Sequence, residues 1–274
     1  MEAFFKYQGL GNDFVVIDRR ESGIDVDAET SRRLCDRHFG IGADGVLAIL
    51  PEAGTAGRMV VHNADGSIAE MCGNGLRCVV KHVAETSGDR PTSLRIATGA
   101  GTLDSELEWG ASGVERVTVA MGPARLEAPI LPAGGPFVRQ PVPGTAPAVL
   151  GTAVSMGNPH LVLLDVPPSE AGRLGPSLEV HPLFVQRTNV EFVQPRAAGG
   201  LEVAVWERGV GLTLACGTGA CATVVAAALD GRVKFDEWVP VQLPGGLLEI
   251  KVKADRSQVW LKGPVRAVFE GRVP

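Results

Sequence analysis

The sequence predicts a mixed, mainly antiparallel α+β fold of two pseudo-symmetric domains, each a cupped β-sheet or barrel around a central helix, with an active site in the cleft between them. Three observations carry this prediction. Landmarks repeat in order at offsets of 143 to 147 positions along a chain of 274 residues, which marks a duplicated domain. A cysteine followed by Gly-x-Gly and a helical run occurs once per half, in Cys72-Gly73-Asn74-Gly75 and Cys216-Gly217-Thr218-Gly219. Short β-branched runs bounded by Gly, Pro and Asn fill most of the remainder, the pattern of many short strands.

Taken in chain order, Gly11-Asn12-Asp13-Phe14 leads into a strand ending at Asp18, and Thr30 to Phe39 reads as a helix. Arg58 to Asn63 is strand-like and ends in the polar turn Ala64-Asp65-Gly66 just ahead of Cys72. The run Leu76 to Glu85 is helical, and Val114 to Val119 is a strand. The Pro-rich stretch Ala124 to Pro147 reads as the connection between the halves. The second half repeats the plan, with Gly157-Asn158-Pro159-His160 opening a strand to Asp165 and Asn189-Val190-Glu191-Phe192 matching Asp44-Gly45-Val46-Leu47. Leu201 to Trp206 is a strand, and Ala220 to Leu229 is so uniformly small and apolar that it must be a helix buried on most sides. Leu247 to Val252 and Gln258 to Leu261 close the pattern. The expected domains are 1–118 with 263–274, carrying Cys72, and 119–262, carrying Cys216.

Composition excludes several functions. A formal charge of −5, with nine Phe, four Trp and one Tyr, supplies neither a basic surface nor stacking platforms for nucleic acid. No apolar run reaches the roughly 20 residues that span a bilayer, and the segment from Met1 to Lys6 lacks a signal-peptide layout, so a cytoplasmic protein is expected. Five cysteines is an odd number for a disulfide framework; Cys35, Cys78 and Cys221 read as small buried hydrophobes. No C-x-x-C occurs and the five histidines are scattered, so no metal site is expected.

The chemistry follows from the duplicated cysteine. A thiol ahead of Gly-x-Gly and a helix lies where backbone N–H groups and the positive helix end favour an anion. Two such ends facing each other could hold one carboxylate while one cysteine takes the neighbouring Cα proton and the other returns one, which inverts the stereocentre. A nucleophilic or redox thiol pair is the alternative. The repetition in matched context favours inversion.

The motif series resembles diaminopimelate epimerase: Gly9-Leu10-Gly11-Asn12-Asp13-Phe14, Gly40-Ile41-Gly42-Ala43-Asp44-Gly45, Asn63-Ala64-Asp65-Gly66-Ser67, Cys72-Gly73-Asn74-Gly75, Gly157-Asn158-Pro159-His160, Thr188-Asn189-Val190-Glu191-Phe192, and Trp206-Glu207-Arg208-Gly209 through Ala222. Proline racemase-like relatives share the duplication with a different surrounding pattern. The resemblance implies cofactor-free interconversion of LL- and meso-2,6-diaminopimelate in lysine and cell-wall precursor synthesis, with no pyridoxal phosphate and no metal. It implies Cys72 and Cys216 as base and acid. Gly73, Asn74, Gly217 and Thr218 would meet the reacting carboxylate, and Asn12, Asn63, Asn158, Asn189 and Arg208 the far end of the substrate. Glu207 would meet the ammonium, and His160 with Glu207 would tune the thiols. A homodimer is also implied, with Phe269 at the position of a contact tyrosine. Three departures stand out: Gly45 for a glutamine, Leu212 for a glutamate, and Phe269 itself.

Overall fold

The computed structural model describes residues 2–69, 71–145 and 148–273. Met1, Glu70, Ala146, Pro147 and Pro274, which fall within the expected domains and the expected connection, lie outside the described residues. The chain divides into two compact units, Met1–Ala120 with Lys262–Pro274, and Met121–Leu261.

The first unit runs β1 (Glu2–Gly9), β2 (Asn12–Asp18), α1 (Ala28–Cys35), β3 (Gly45–Leu50), β4 (Arg58–Asn63), β5 (Ile68–Ala69), α2 (Gly73–Thr86), β6 (Ser93–Thr98), β7 (Gly101–Gly110) and β8 (Gly113–Gly122). β1 and β2 pair antiparallel with Gly9 opposite Asn12. Leu10 (φ 58°) and Gly11 (φ 82°) make the two-residue turn, the left-handed geometry that matches hairpin twist. β2 and β3 pair parallel, with Phe14 opposite Gly45, and β3 and β4 antiparallel. Phe14 to Ile17 of β2 and Gly45 to Ile49 of β3 are buried because both faces are covered. Val15, Ile17, Val46 and Ala48 pack with Leu34 and Cys35 of α1, while α2 packs against β1, β2, β3, β4 and β6 on the opposite side. Every residue of α2 from Gly73 to Ala84 is buried.

The second unit repeats this plan with β9 (Gln140–Pro141), β10 (Leu150–Ser155), β11 (Pro159–Leu163), α3 (Ala171–Glu179), β12 (Asn189–Pro195), β13 (Leu201–Glu207), β14 (Gly211–Leu212), α4 (Gly217–Leu229), β15 (Val239–Leu243), β16 (Gly246–Val252) and β17 (Val259–Pro264). β11 and β12 are the parallel pair, with His160 opposite Asn189. α3 covers one face through Ala171 and Leu178, packed with Leu161, Leu163, Val190 and Phe192. α4 packs against β10, β11, β12, β13 and β16. Its Val224 and Val225 are 1% and 0% exposed, and each contributes about 1.5–3 kcal/mol of burial. The C-terminal strand β18 (Arg266–Val273) returns to the first unit and pairs antiparallel with β1.

The mixed, mainly antiparallel fold class read from the sequence holds, with a buried helix at the centre of each unit. Two local readings need correction. The helix expected over Thr30 to Phe39 is Ala28–Cys35, because the Asp36 carboxylate accepts from the N–H groups of His38 and Phe39 and turns the chain, a side-chain competition that ends helices. The stretch from Ala124 is not a connector, since Leu131, Phe137 and Val142 are buried in the second unit's core and Arg125 bridges Ser155. Its prolines conceal a core segment without regular periodicity. Among the described residues, no helix is long and apolar enough to cross a membrane.

Candidate active site

Each central helix is capped by the sulfur of the cysteine that precedes it. Cys72 is extended (φ −140°, ψ 112°) and accepts from the Gly75 N–H at 3.4 Å. Cys216 does the same (φ −117°, ψ 110°) with the Gly219 N–H, also at 3.4 Å. A side-chain acceptor at this position satisfies a first-turn donor, and it sets the sulfur at the positive end of the helix. Gly73-Asn74 and Gly217-Thr218 are the first two helical residues, so their N–H groups point out of the same ends.

In the first unit, Asn12 reaches Cys72 from the β1–β2 turn. Its Oδ1 accepts from Asn74 Nδ2 at 3.3 Å and lies 3.9 Å from the Cys72 sulfur. The amide is oriented by Asp44, which accepts from Asn12 Nδ2 at 2.6 Å and is paired with Arg37 at 2.8 Å. Asn74 is in turn held by the fully buried Arg77, whose Nη2 donates to Asn74 Oδ1 at 3.0 Å. Asn63 sits at the end of β4, opposite Gly45. Its side-chain amide donates to Ser67 Oγ at 2.9 Å and so closes the turn before Cys72, while its backbone carbonyl accepts from the Ser31 hydroxyl. A Cβ at Gly45 would lie 2.7 Å from the His62 carbonyl oxygen, so a side chain at this position requires the backbone to shift.

In the second unit, Thr218 Oγ1 lies 3.5 Å from the Cys216 sulfur and accepts from Asn158 Nδ2 at 3.3 Å. Asn158 Oδ1 faces His160 Nε2 at 3.0 Å. His160 Nδ1 is 2.7 Å from Glu191 Oε1, with both side chains 0% exposed. His160 thus reaches Cys216 through Asn158 and Thr218. Asn189 has both ends of its amide engaged, donating to the Pro159 carbonyl at 2.8 Å and accepting from the Arg208 N–H at 3.0 Å. The Arg208 guanidinium is exposed and donates to the Gln186 carbonyl. Glu207 accepts from the Thr213 hydroxyl at 2.5 Å.

The two sulfurs differ in surroundings. Cys72 is half-buried and Cys216 buried. Burial pushes the Cys216 thiol well above its ordinary range, and the nearby charge of Glu207 adds to this, against the Thr218 hydroxyl and Gly219 N–H. Cys35, Cys78 and Cys221 are buried; burial raises Cys78 to about 12. Phe269 lies on β18, about half exposed, edge-on to Phe4 with ring centroids 6.0 Å apart. Leu212 is exposed on β14.

The family model described as diaminopimelate epimerase matches residues 4–127 and 152–268. The chain belongs to the diaminopimelate epimerase family. A diaminopimelate epimerase of Synechocystis is 46% identical over 279 residues, covering 98% of each chain. A chloroplastic diaminopimelate epimerase of Oryza sativa subsp. japonica is 44% identical, covering 98% of this chain and 79% of its own. Solved structures share the fold at low identity: a hydroxyproline epimerase of Agrobacterium vitis (TM-score 0.71, 14% identity, covering 99% of this chain and 90% of that one) and a PhzF-family phenazine biosynthesis protein of Bacillus anthracis (TM-score 0.74, 14% identity, covering 100% and 99%).

Sequence reasoning assigned no role to Asp44, Arg77 or Glu191. Asp44 and Glu191 stood inside quoted motifs, but their contacts come from strand pairing across 32 and 31 residues. A signal for Glu191 was available: it is a charged residue in a β-strand run that is otherwise apolar, where a lone carboxylate needs a partner.

Proposed function

We propose that this chain epimerises 2,6-diaminopimelate between the LL and meso forms, without pyridoxal phosphate or a metal, in lysine and cell-wall precursor synthesis. The observation that carries the reading is the pair of equivalent thiol-capped helices, on top of membership in the family. In the two-base reaction one of Cys72 and Cys216 removes the α-proton and the other delivers a proton to the opposite face. Backbone N–H groups of Gly73, Asn74, Gly217 and Thr218 stabilise the negative charge that grows on the carboxylate as the α-carbon loses its proton. Glu207 meets the α-ammonium, and Asn12, Asn63, Asn158, Asn189 and Arg208 hold the distal amino-acid end. Where an asparagine already bonds protein groups, as Asn158 and Asn189 do, it acts by fixing the wall that substrate meets.

The high position of Cys216 supports its starting as the thiol. Glu207 and His160 tune it, the first by charge and the second through Asn158 and Thr218. The enzyme works in the cytoplasm, where thiols that serve as acid and base stay reduced, and as a homodimer contacting through the β18 face around Phe269. The test is a substrate panel resolved by chiral chromatography. LL-diaminopimelate should give the meso form, with proline and trans-4-hydroxyproline unchanged; inversion of either cyclic amino acid instead would assign the site to the racemase relatives.

A further inference from the structure

Glu191 poses a problem that the two-cysteine reaction does not solve. It is fully buried, its Oε1 is 2.7 Å from His160 Nδ1, and its Oε2 has no hydrogen-bond partner among the described residues. An ionised carboxylate with one oxygen orphaned in the interior is costly. The sequence match of Asn189 with Asp44 is one position out: Asn189 pairs with His160 as Gly45 pairs with Phe14, so Glu191 corresponds to Leu47 in the first unit. A Cβ at Gly75 would meet Leu47 at 3.0 Å, and a Cβ at Gly219 would meet Glu191 Oε1 at 2.8 Å. Likewise Phe14 faces Gly45 across the first parallel pair where His160 faces Asn189 across the second. The fold therefore accepts an apolar pair here, and the polar pair stands only beside Cys216.

The hydrogen-bond directions along this row are constrained. Asn158 donates through Nδ2 to Thr218, which leaves Oδ1, an acceptor, facing His160. His160 Nε2 must then carry a proton. If His160 is neutral, Nδ1 is bare, and Glu191 must donate an O–H to it; if His160 is charged, Glu191 is its carboxylate partner. Either way one proton lies between Glu191 and Nδ1 and a second on Nε2. From His160 onward the donors then point one way: His160 Nε2–H to Asn158, Asn158 to Thr218 and, when Cys216 is the thiolate, Thr218 O–H to its sulfur.

We propose that Glu191 is a positioning residue that shares one proton with His160 Nδ1, fixes His160 Nε2 as a donor and thereby aims a hydrogen-bond chain at Cys216. This rests on the reading of Cys216 as an acid–base group. Burial, the leading influence on Glu191, favours its neutral form, opposed by His160 and reinforced by Glu207. Among the described residues, the titratable groups that act on Cys216 or join its hydrogen-bond row include Glu191 on β12, Glu207 at the end of β13 and His160 on β11. The chain favours the thiolate of Cys216, so it offsets the burial that opposes ionisation and keeps the residue able to cycle.

Two variants and one spectrum test this. E191Q replaces the donating acid by a donating amide, so kcat/KM for diaminopimelate should stay within about threefold of wild type and the pH profile should not move. E191L installs the first unit's residue; kcat should fall about 3- to 10-fold, no further than loss of the Thr218 hydroxyl that ends the chain, with KM little changed, and the thiol limb of the profile should move to higher pH. A downward displacement in either variant would mean that Glu191 acts as an ionised carboxylate, and any displacement in E191Q or none in E191L overturns the proposal. The spectrum needs neither activity nor a folded variant: 15N-histidine NMR of the wild-type protein should show a protonated Nε2 on His160 through neutral pH. A bare Nε2 would reverse the chain and overturn the proposal even if the protein epimerises diaminopimelate. Absence of epimerase activity in the wild type would instead overturn the functional reading.

Discussion

Thr218→Val removes one oxygen and little volume, and its effect can be worked out from three contacts. The hydroxyl lies 3.5 Å from the Cys216 sulfur and accepts from Asn158 Nδ2 at 3.3 Å. Valine deletes the donor to the sulfur and leaves an Asn158 N–H without its acceptor. A neutral hydrogen bond is worth about 0.5–1.5 kcal/mol and one to a charged group about 1.5–3 kcal/mol. The thiolate therefore loses about 1 kcal/mol more than the thiol does, which raises the Cys216 pKa by just under one unit. The Gly219 N–H bond to the sulfur remains, which caps the loss. At neutral pH kcat/KM should fall about 3- to 10-fold, in both directions equally because the equilibrium constant is fixed, and the thiol limb should move up by about half to one unit. Thr218→Ser keeps the hydroxyl and should stay close to wild type. The assay is the initial rate of meso-diaminopimelate formation from pH 6 to 10 by coupled or chiral detection. A Thr218→Val enzyme with wild-type rate and profile would refute the claim that this hydroxyl acts on Cys216.

Glu207→Gln removes a charge that raises Cys216 while keeping an acceptor for Thr213, so the thiol limb should move to lower pH; an upward move would contradict the electrostatic assignment. At Asp18, burial opposes ionisation, but hydrogen bonds from His82 and Arg20 win and hold the carboxyl well below the usual range. A carboxyl lowered on folding stabilises the protein above its unfolded pKa, and this is lost as pH falls through the folded value. Asp18→Asn should therefore cost about 1.5–3 kcal/mol at pH 7 and progressively less in strong acid, measured by urea unfolding; an equal loss at both ends would refute the linkage. Brief iodoacetamide treatment of the native protein, followed by peptide mass spectrometry, should label Cys72 first and leave Cys35, Cys78 and Cys221 unlabelled, since these are buried and Cys78 is raised to about 12. Early labelling of Cys78 would contradict its burial.

The architecture was legible where sequence period and landmark agree. Both cysteine loops and both central helices follow from Cys-Gly-x-Gly and the apolar runs behind it, because a helix that is apolar on most sides has to be enclosed. The site was legible wherever a side chain's role is local: Cys72 and Cys216 cap the helices they precede. It was not legible where partners meet through strand pairing. Glu191 and His160 are 31 residues apart, and only the β11–β12 register places them in contact. Asp44 orients Asn12 across 32 residues for the same reason. The segment from Ala124 was misread because Leu131, Phe137 and Val142 enter the core singly between prolines and glycines, with no periodicity to reveal them. Asn189, expected at the far end of the substrate, is 4% exposed and makes two bonds to backbone groups, so it braces the Arg208 turn through partners that only strand pairing supplies.

In the proposed reaction Cys72 and Cys216 together exchange the α-proton of diaminopimelate. The most direct test of this exchange is LL-diaminopimelate in deuterium oxide with the wild type, Cys72→Ala and Cys216→Ala, followed by mass spectrometry of the separated isomers. Meso product carrying one α-deuterium is expected with the wild type, and no inversion with either variant. Undiminished inversion by either variant would contradict the exchange.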